Sequence, residues 1–370
     1  MLLFTPGPTP VLEAVRVAMS GPTIHHRTPE FEAIFKETRE RLTRLFGTQE
    51  VLMIASSGTG AMEAAVINFT RTKALTINAG KFGERFAKIC QAQSVPYTEL
   101  KYDWDTPATV DDVLSALRED SQIDALFIQV SESAGGLRHP VEEIAKAVKV
   151  INKDIMIVAD GITAVGVEPI DSQDIDVLIS GSQKALMLPP GLSMLGLNAG
   201  ALAVLEYHDK GYYLNLKTEL KKQKQNTTAY TAATTLIIGL GVMLEMIEKE
   251  GVQKLYHDTR SRAQASKKAL ESIGLDIYPK VSAPSMTTIA FDKADELRKI
   301  LKTRYSVNIA GGQDHLKGKI FRINHMGLIQ TYEAAWVVNA IELALADMGV
   351  RPFDGKASET FNRRFFGLDR

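Results

Sequence analysis

Cysteine is almost absent from this sequence, which contains a single one, Cys90, among 370 residues. One thiol cannot form a disulfide within the chain, and it cannot build a cysteine-based metal cluster. Chains without disulfides are typical of reducing compartments, so we predict a cytoplasmic protein with no metal site.

Charge of one sign and long hydrophobic runs are lacking as well. The 43 Lys and Arg residues nearly balance the 44 Asp and Glu residues, which leaves a net charge of −1. No apolar run approaches the ~20 residues that span a bilayer. The N-terminus has no basic region and reaches Pro6 early, unlike a signal peptide. We therefore predict neither a nucleic-acid partner nor a membrane partner.

Strand-like and helix-like segments alternate from about residue 50 to residue 185. The apolar strand segments lack a period of two, which is typical of parallel strands covered by helices on both faces. Residues 193–197 and 202–205 are predicted to pair as an antiparallel hairpin. Short strands and two helices after Gly274 indicate a smaller α+β layer. We predict an α/β fold with an arm over residues 1–14, a large domain over residues 15–255 and a small domain over residues 256–370.

A lysine and a carboxylate follow two of the predicted buried strands. Residues 177–179 lead into Ser180-Gly-Ser-Gln-Lys184, and residues 156–159 end at Asp160. Open α/β sheets bind ligands at the carboxyl ends of their strands. A lysine and an acid there suit pyridoxal phosphate (PLP), because the lysine can form a Schiff base and the acid can keep the ring nitrogen protonated. A strand-capping Asp and a surface Lys would give the same pattern.

Two further segments are compatible with a flat, phosphorylated cofactor. Ser57-Gly-Thr-Gly60 joins a strand to a helix, a geometry that presents backbone N–H groups to a phosphate. It lacks the Gly-Lys-Ser/Thr of a Walker loop, and packing alone also explains a glycine turn. Phe82 lies between Gly80 and Gly83 at another strand end, where an aromatic ring can stack on a cofactor, and the helix that follows is predicted to begin at Glu84.

Two histidines and an arginine precede a predicted helix start. Thr28 is a candidate N-cap with Pro29 as the first helical residue. His25, His26 and Arg27 therefore form either a polar loop or the wall of a cationic pocket.

Six motifs together resemble the class V, fold-type I PLP enzymes, most closely the alanine/serine–glyoxylate (serine–pyruvate) aminotransferases. They are Thr5-Pro-Gly-Pro-Thr9, Arg27-Thr-Pro-Glu-Phe31, Ser57-Gly-Thr-Gly-Ala-Met-Glu63, Ala159-Asp-Gly161, Ser180-Gly-Ser-Gln-Lys184 with Pro189-Pro-Gly191, and Phe321-Arg-Ile-Asn-His-Met-Gly327. The resemblance covers nearly the whole chain and weakens after about residue 345. It implies a mostly parallel, seven-stranded type of sheet, and a homodimer with shared active sites.

The resemblance also implies a role for each matching residue. Lys184 would form the Schiff base and move the substrate proton, and Asp160 would pair with the ring nitrogen. The other cofactor-binding residues implied are Ser57, Gly58, Thr59, Phe82, Ser133, Ile162, Gln183 and, from the neighbouring subunit, Thr228. Thr228 departs from the family pattern, because Ala229 replaces the usual proline and Gln225 replaces a frequent aromatic residue.

Substrate binding is implied for three residues. Arg322 would hold the substrate α-carboxylate with its planar fork of donors, and His325 and His26 would approach the substrate side chain. The implied reaction passes an amino group through pyridoxamine phosphate. Its donor is alanine, serine or aspartate, and its acceptor is glyoxylate or pyruvate.

Other reactions on the same scaffold remain alternatives. A desulfurase needs a reactive cysteine on a mobile loop, whereas Cys90 falls within a predicted helix. A kynureninase-like hydrolase or another lyase would show no dependence on a 2-oxo acid. A PLP-binding regulator would need an added DNA-binding or partner domain, for which the chain has no basic segment.

Overall fold

The computed structural model describes residues 1–368. The helices are α1 (Glu13–Met19), α2 (Pro29–Phe46), α3 (Gly58–Phe69), α4 (Lys81–Ala92), α5 (Val110–Glu119), α6 (Val141–Ile151), α7 (Ala199–Tyr207), α8 (Leu216–Gln223), α9 (Thr234–Glu250), α10 (Val252–Ser272), α11 (Ala294–Arg304), α12 (Thr331–Asp347) and α13 (Lys356–Phe365). The strands are β1 (Leu2–Phe4), β2 (Glu50–Ile54), β3 (Lys73–Asn78), β4 (Tyr97–Lys101), β5 (Ile123–Gln129), β6 (Ser131–Glu132), β7 (Leu137–Arg138), β8 (Met156–Asp160), β9 (Val177–Gly181), β10 (Ser193–Leu197), β11 (Asp276–Ile277), β12 (Met286–Ala290), β13 (Val307–Gly311) and β14 (Ile320–Asn324).

The larger sheet has seven strands in the order β2-β10-β9-β8-β5-β3-β4. Its neighbours pair in parallel, except that β10 runs antiparallel to β9 and to β2. Alternate residues of β5 pack into two hydrophobic cores, one on each face of the sheet. Leu126 and Ile128 pack toward α2, α5, α6 and α9, whereas Phe127 packs toward α3, α4 and α7. Both faces are buried, which explains why the strands lack a polar alternation. The predicted α/β fold with a mostly parallel sheet is confirmed.

The hairpin predicted over residues 193–205 is wrong in its second half. β10 pairs with β9 and β2, and the chain then continues as α7. The buried residues of α7 are Ala201, Val204 and Leu205, the spacing of one helical face rather than of a strand. A short apolar run does not distinguish the two.

The smaller sheet has the order β1-β13-β14-β12-β11. Residues 2–4, predicted as part of an extended arm, form its edge strand, which runs parallel to β13. Helix α10 contacts both cores, because Leu255 packs on the large one and Ala265 and Leu270 pack on the small one. The domain boundary near residue 255 stays a prediction, and α10 is where it falls.

The predicted N-cap of α2 is confirmed, since Thr28 Oγ1 accepts a hydrogen bond from the Phe31 backbone N–H at 3.4 Å. Within residues 1–368, none of the helices combines the length and the apolar character that crossing a membrane requires.

Candidate active site

A cavity of about 200 Å³ lies at the carboxyl ends of β8 and β9. The residues that line it are Ser57, Gly58, Thr59, Phe82, Arg85, Ser131, Ser133, Asp160, Ile162, Thr163, Gln183 and Lys184. The sheet therefore brings the predicted cofactor residues together, with the exception of Thr228. Arg85, Ser131 and Thr163 were not among the predicted residues.

Asp160 and Lys184 face this cavity from neighbouring strand ends. Asp160 is buried, and its Oδ1 accepts a hydrogen bond from the Ile162 backbone N–H at 2.9 Å. Burial raises the pKa of Asp160 to about 6, against the opposing effects of that N–H and of the Arg85 and Lys184 charges. Burial also lowers the pKa of Lys184 to about 8, although the Asp160 charge works against this shift. The lysine is thereby closer to its neutral, nucleophilic form at neutral pH.

The N-terminal segment holds the lysine loop in place. The Thr9 backbone N–H donates to the Gln183 carbonyl at 3.0 Å, and the Thr9 hydroxyl donates to the Lys184 carbonyl at 2.7 Å. The Lys184 ammonium group donates to the Pro6 carbonyl. Gly7 has a φ of +125°, which favours glycine, and a Cβ atom there would lie 2.7 Å from Lys184 Nζ, so a larger residue would also displace the lysine side chain.

The start of α3 forms the part of the cavity suited to an anion. Ser57 is the N-cap residue, and its side chain makes no capping hydrogen bond. A Cβ atom on Gly58 would overlap Ile162 Cδ1, so glycine permits the helix end to approach the cavity closely. The buried Oε1 of Gln183 has no hydrogen-bond partner among residues 1–368. The first N–H groups of a helix lack intrahelical acceptors and favour phosphate. These residues fit PLP: an anion site, a buried acid and a lysine line one cavity.

Phe82 and Arg85 lie one turn apart at the start of α4. The Arg85 guanidinium lies 4.6 Å from the centroid of the Phe82 ring, a cation–π arrangement. Arg85 Nη1 also donates to Thr59 Oγ1 at 2.9 Å. The signal for Arg85 was its i+3 spacing from Phe82, which places both on one helix face.

Arg322, on β14, binds backbone carbonyls beside the cavity. Its Nε and Nη2 donate to the Gly311 carbonyl at 3.1 and 2.6 Å, and its Nη1 donates to the Ser133 carbonyl at 2.5 Å. Burial lowers the pKa of Arg322 to about 10, and the Glu132 charge opposes that shift. The side chain stays a cation at neutral pH, and it lies next to Ser133 of the cavity wall.

Besides Arg322, three predicted residues lie outside the set that lines this cavity. His325 is fully buried, and its Nε2 is 2.8 Å from Thr287 Oγ1. Burial lowers its pKa to about 3. The His26 ring lies tilted against that of His25, with ring centroids 4.7 Å apart, in the loop before α2. Thr228 donates its hydroxyl hydrogen to the Tyr230 carbonyl at 2.5 Å and lines a different pocket. The roles assigned to these three stay predictions.

Comparison with known proteins adds to this geometry. The family model described as aminotransferase class-V matches residues 6–328. The chain belongs to the class V aminotransferases. This aminotransferase is 49% identical over 369 residues to an uncharacterized aminotransferase of Helicobacter pylori, and the match covers 100% of both chains.

Two further relatives have more specific names. One is the serine–glyoxylate aminotransferase of Hyphomicrobium methylovorum, 29% identical over 98% of this chain and 94% of that protein. The other is a solved structure, an aspartate aminotransferase of subgroup IV from Thermus thermophilus. It is 30% identical with a TM-score of 0.87, over 94% of this chain and 99% of that one. Aminotransferases act on an amino acid and a 2-oxo acid, and membership of this family implies PLP as cofactor.

Proposed function

We propose that this aminotransferase moves an amino group between a small amino acid and a 2-oxo acid with PLP bound to Lys184. The donor would be alanine, serine or aspartate, and the acceptor glyoxylate or pyruvate. The observation that carries the proposal is the single cavity shared by Lys184, Asp160 and the start of α3. When bound, PLP supplies an aldehyde that takes up the amino group and a ring that withdraws electrons from the substrate carbon.

Lys184 and Asp160 would be the catalytic residues. The lowered pKa of Lys184 makes its neutral amine available to join the cofactor aldehyde covalently. Once released by the substrate, the same amine would take the proton from the substrate Cα and deliver it to the cofactor carbon to which the lysine had been joined. Asp160, buried and held by the Ile162 N–H, would hold the proton on the ring nitrogen.

The remaining cavity residues would orient the cofactor. Ser57, Gly58 and Thr59 at the start of α3, with Gln183, would bind its phosphate. The Phe82 ring and the Ile162 side chain would pack on its two faces, which excludes water from the reacting bond. Ser133 would lie near the phenolic oxygen of the cofactor.

Arg322 would bind the substrate carboxylate. A planar guanidinium can make two parallel bonds to a carboxylate, which fixes how the substrate lies on the cofactor. Two of its present acceptors are carbonyl oxygens of Gly311 and Ser133. A carboxylate would add a charged acceptor to this cation, and the names of the relatives support serine and aspartate as donors to test.

A homodimer with shared active sites belongs to the same proposal. Thr228 lines a pocket with Tyr213 and Tyr230 rather than the cavity of its own chain. Tyr212, whose ring lies tilted against that of Tyr230, is 82% exposed. A second copy of the chain would cover these tyrosines and receive the Thr228 hydroxyl at its phosphate site.

Among the alternatives, a desulfurase is the least compatible with the structure. Cys90 is fully buried in α4, and burial raises the pKa of its thiol to about 12. A buried thiol of that pKa is neither accessible nor ionised, as a sulfur-accepting nucleophile must be. A lyase or hydrolase uses the same lysine and acid, and substrate turnover distinguishes it.

The proposal is tested by titrating the PLP-loaded protein with alanine, serine and aspartate separately, without any oxo acid. We expect one of them to convert the bound cofactor to pyridoxamine phosphate, as seen by its absorbance. Glyoxylate or pyruvate should then restore the original spectrum. Release of ammonia or another fragment without that conversion would favour a lyase or hydrolase. No cofactor spectrum after incubation with PLP would contradict the proposal.

A further inference from the structure

Helices α3 and α4 both begin beside the cavity, but their N-termini are used differently. The start of α3 lines the cavity, whereas the start of α4 is filled by the carboxylate of Glu132. Glu132 Oε2 accepts from the backbone N–H groups of Phe82 and Gly83, each at 2.9 Å. Its Oε1 accepts from the Ala134 N–H at 2.9 Å. Among the described residues, three backbone N–H groups thus donate to the two oxygens of this carboxylate.

A carboxylate with 0% exposure is costly unless its oxygens are satisfied. Burial raises the pKa of Glu132 to about 7, and the three N–H donors act in the opposite direction. The partial positive charge at the start of α4 also favours the ionised form. The absence of a side chain at Gly80 leaves room for this carboxylate, since a Cβ atom there would overlap Glu132 Cγ and Cδ. Gly80 has an extended backbone (φ 164°), so the requirement for glycine there is one of space.

The groups that Glu132 holds belong to the cavity wall. Phe82 lines the cavity, and so does Ser133, the next residue after Glu132. The Ser133 carbonyl in turn accepts from Arg322 Nη1. One buried carboxylate therefore binds the backbone of Phe82 and that of the turn over residues 133–136, the Ser133 turn, whose first carbonyl accepts from the arginine.

We propose that Glu132 is a positioning residue of the transamination, which fixes Phe82 and the Ser133 turn against the cofactor through three backbone hydrogen bonds. This inference rests on the proposed function, because it assigns the Phe82 ring to a cofactor face. Glutamine has the same shape as glutamate, but its amide nitrogen would face either the Ala134 N–H or the two N–H groups of α4. Glu132→Gln must therefore lose at least one of the three bonds.

Glu342 provides a matched control far from the cavity. It is also 0% exposed, and its Oε2 accepts from the Ala357 N–H in the first turn of α13 at 3.0 Å. Its Oε1 pairs with Arg351. Glu342→Gln thus weakens a buried helix-capping carboxylate in the small domain. A purely structural role for Glu132 would make the two variants behave alike.

The experiment measures PLP-loaded wild type, Glu132→Gln, Gly80→Ala and Glu342→Gln for melting temperature, visible circular dichroism of the cofactor, kcat and KM. We expect Glu132→Gln to keep PLP on Lys184 but to change the dichroism band and lower kcat about tenfold, because small misplacements of a reacting group are costly. Gly80→Ala should do the same without removing the charge. Glu342→Gln should lower only the melting temperature.

A double variant tests whether Glu132 acts through Phe82. If Glu132 acts through Phe82, adding Glu132→Gln to Phe82→Leu should lower kcat by clearly less than the product of the single effects. Fully multiplicative effects would overturn the proposal, as would wild-type kcat and dichroism in both Glu132→Gln and Gly80→Ala. Should Glu132→Gln not fold, Gly80→Ala alone decides. Failure of the proposed function would instead appear in the wild type, as an absence of transamination.

Discussion

The cofactor half and the substrate half of the proposed site are built in different ways. The cofactor half comprises Lys184, Asp160 and the start of α3, and the substrate half comprises Arg322 and His325. The first set converges on one cavity from adjacent strand ends and a helix start of the large sheet. In the second set, Arg322 binds backbone carbonyls and His325 is buried against Thr287. The cofactor half is therefore formed by the backbone geometry of adjacent elements in one sheet. The substrate half depends on how the small sheet packs against the large one.

The largest expected effect tests the cofactor half at its centre. Lys184→Ala should abolish both the visible absorbance of covalently bound PLP and all transamination, because no other amine lines the cavity among the described residues. Lys268→Ala, which removes an exposed lysine paired with Glu271, is the control and should leave both unchanged. Persisting colour and activity in Lys184→Ala would remove the lysine from the cofactor half.

Asp160→Asn should produce the next largest effect. The amide keeps the size of the side chain but cannot hold a positive charge on the ring nitrogen, so we expect the half-reaction rate to fall by about 100-fold, as for other lost transition-state contacts. PLP should still bind. Single-turnover absorbance kinetics with one amino donor measure the effect, and an undiminished rate would contradict the role of Asp160.

Arg322→Ala should separate the two halves. We expect weaker binding of both amino and oxo acid, by about 2–3 kcal/mol, which is typical of one partner lost from a buried charge pair. The absorbance of the bound cofactor should stay as in the wild type. Arg322→Lys keeps the charge without the planar fork and should bind with intermediate affinity. Unchanged KM values in Arg322→Ala would take this residue out of the substrate half.

The smallest effect is expected for His325→Asn. Its ring contacts Thr287, so substrate affinity should change by at most about 1 kcal/mol, the worth of one neutral hydrogen bond. Comparing its KM with that of Arg322→Ala shows which of the two residues contributes more to substrate binding. A loss as large as that of Arg322→Ala would put His325 in contact with the substrate.

The sequence indicated that the residues of the cofactor half would lie together, because the signals that place them are local. An apolar strand followed by small residues and a lysine is recognisable from a few consecutive residues, without knowledge of the rest of the fold. The same is true of a strand that ends in Asp160. Parallel pairing of β8 with β9 then sets both ends at one edge of the sheet. The type of most elements was predicted for the same reason, since hydrophobic period and helix caps are properties of short segments.

The missed features depend on distant or finely placed contacts. Strand β1 pairs with β13 across some 300 residues, which no local pattern indicates. Helix α4 begins at Lys81, whereas the sequence predicted a start at Glu84. That shift of one turn places Phe82 and Arg85 on the same helix and puts the N–H groups of its first turn within reach of Glu132. Helix boundaries decide such contacts, and they are what sequence patterns define least well.

The most direct test of the account reduces the PLP-loaded protein with borohydride, digests it and maps the phosphopyridoxyl group by mass spectrometry. The account predicts the added mass on the peptide that contains Lys184 and its absence from the same peptide of Lys184→Ala. Attachment to another lysine, or no attachment in the wild type, would contradict it.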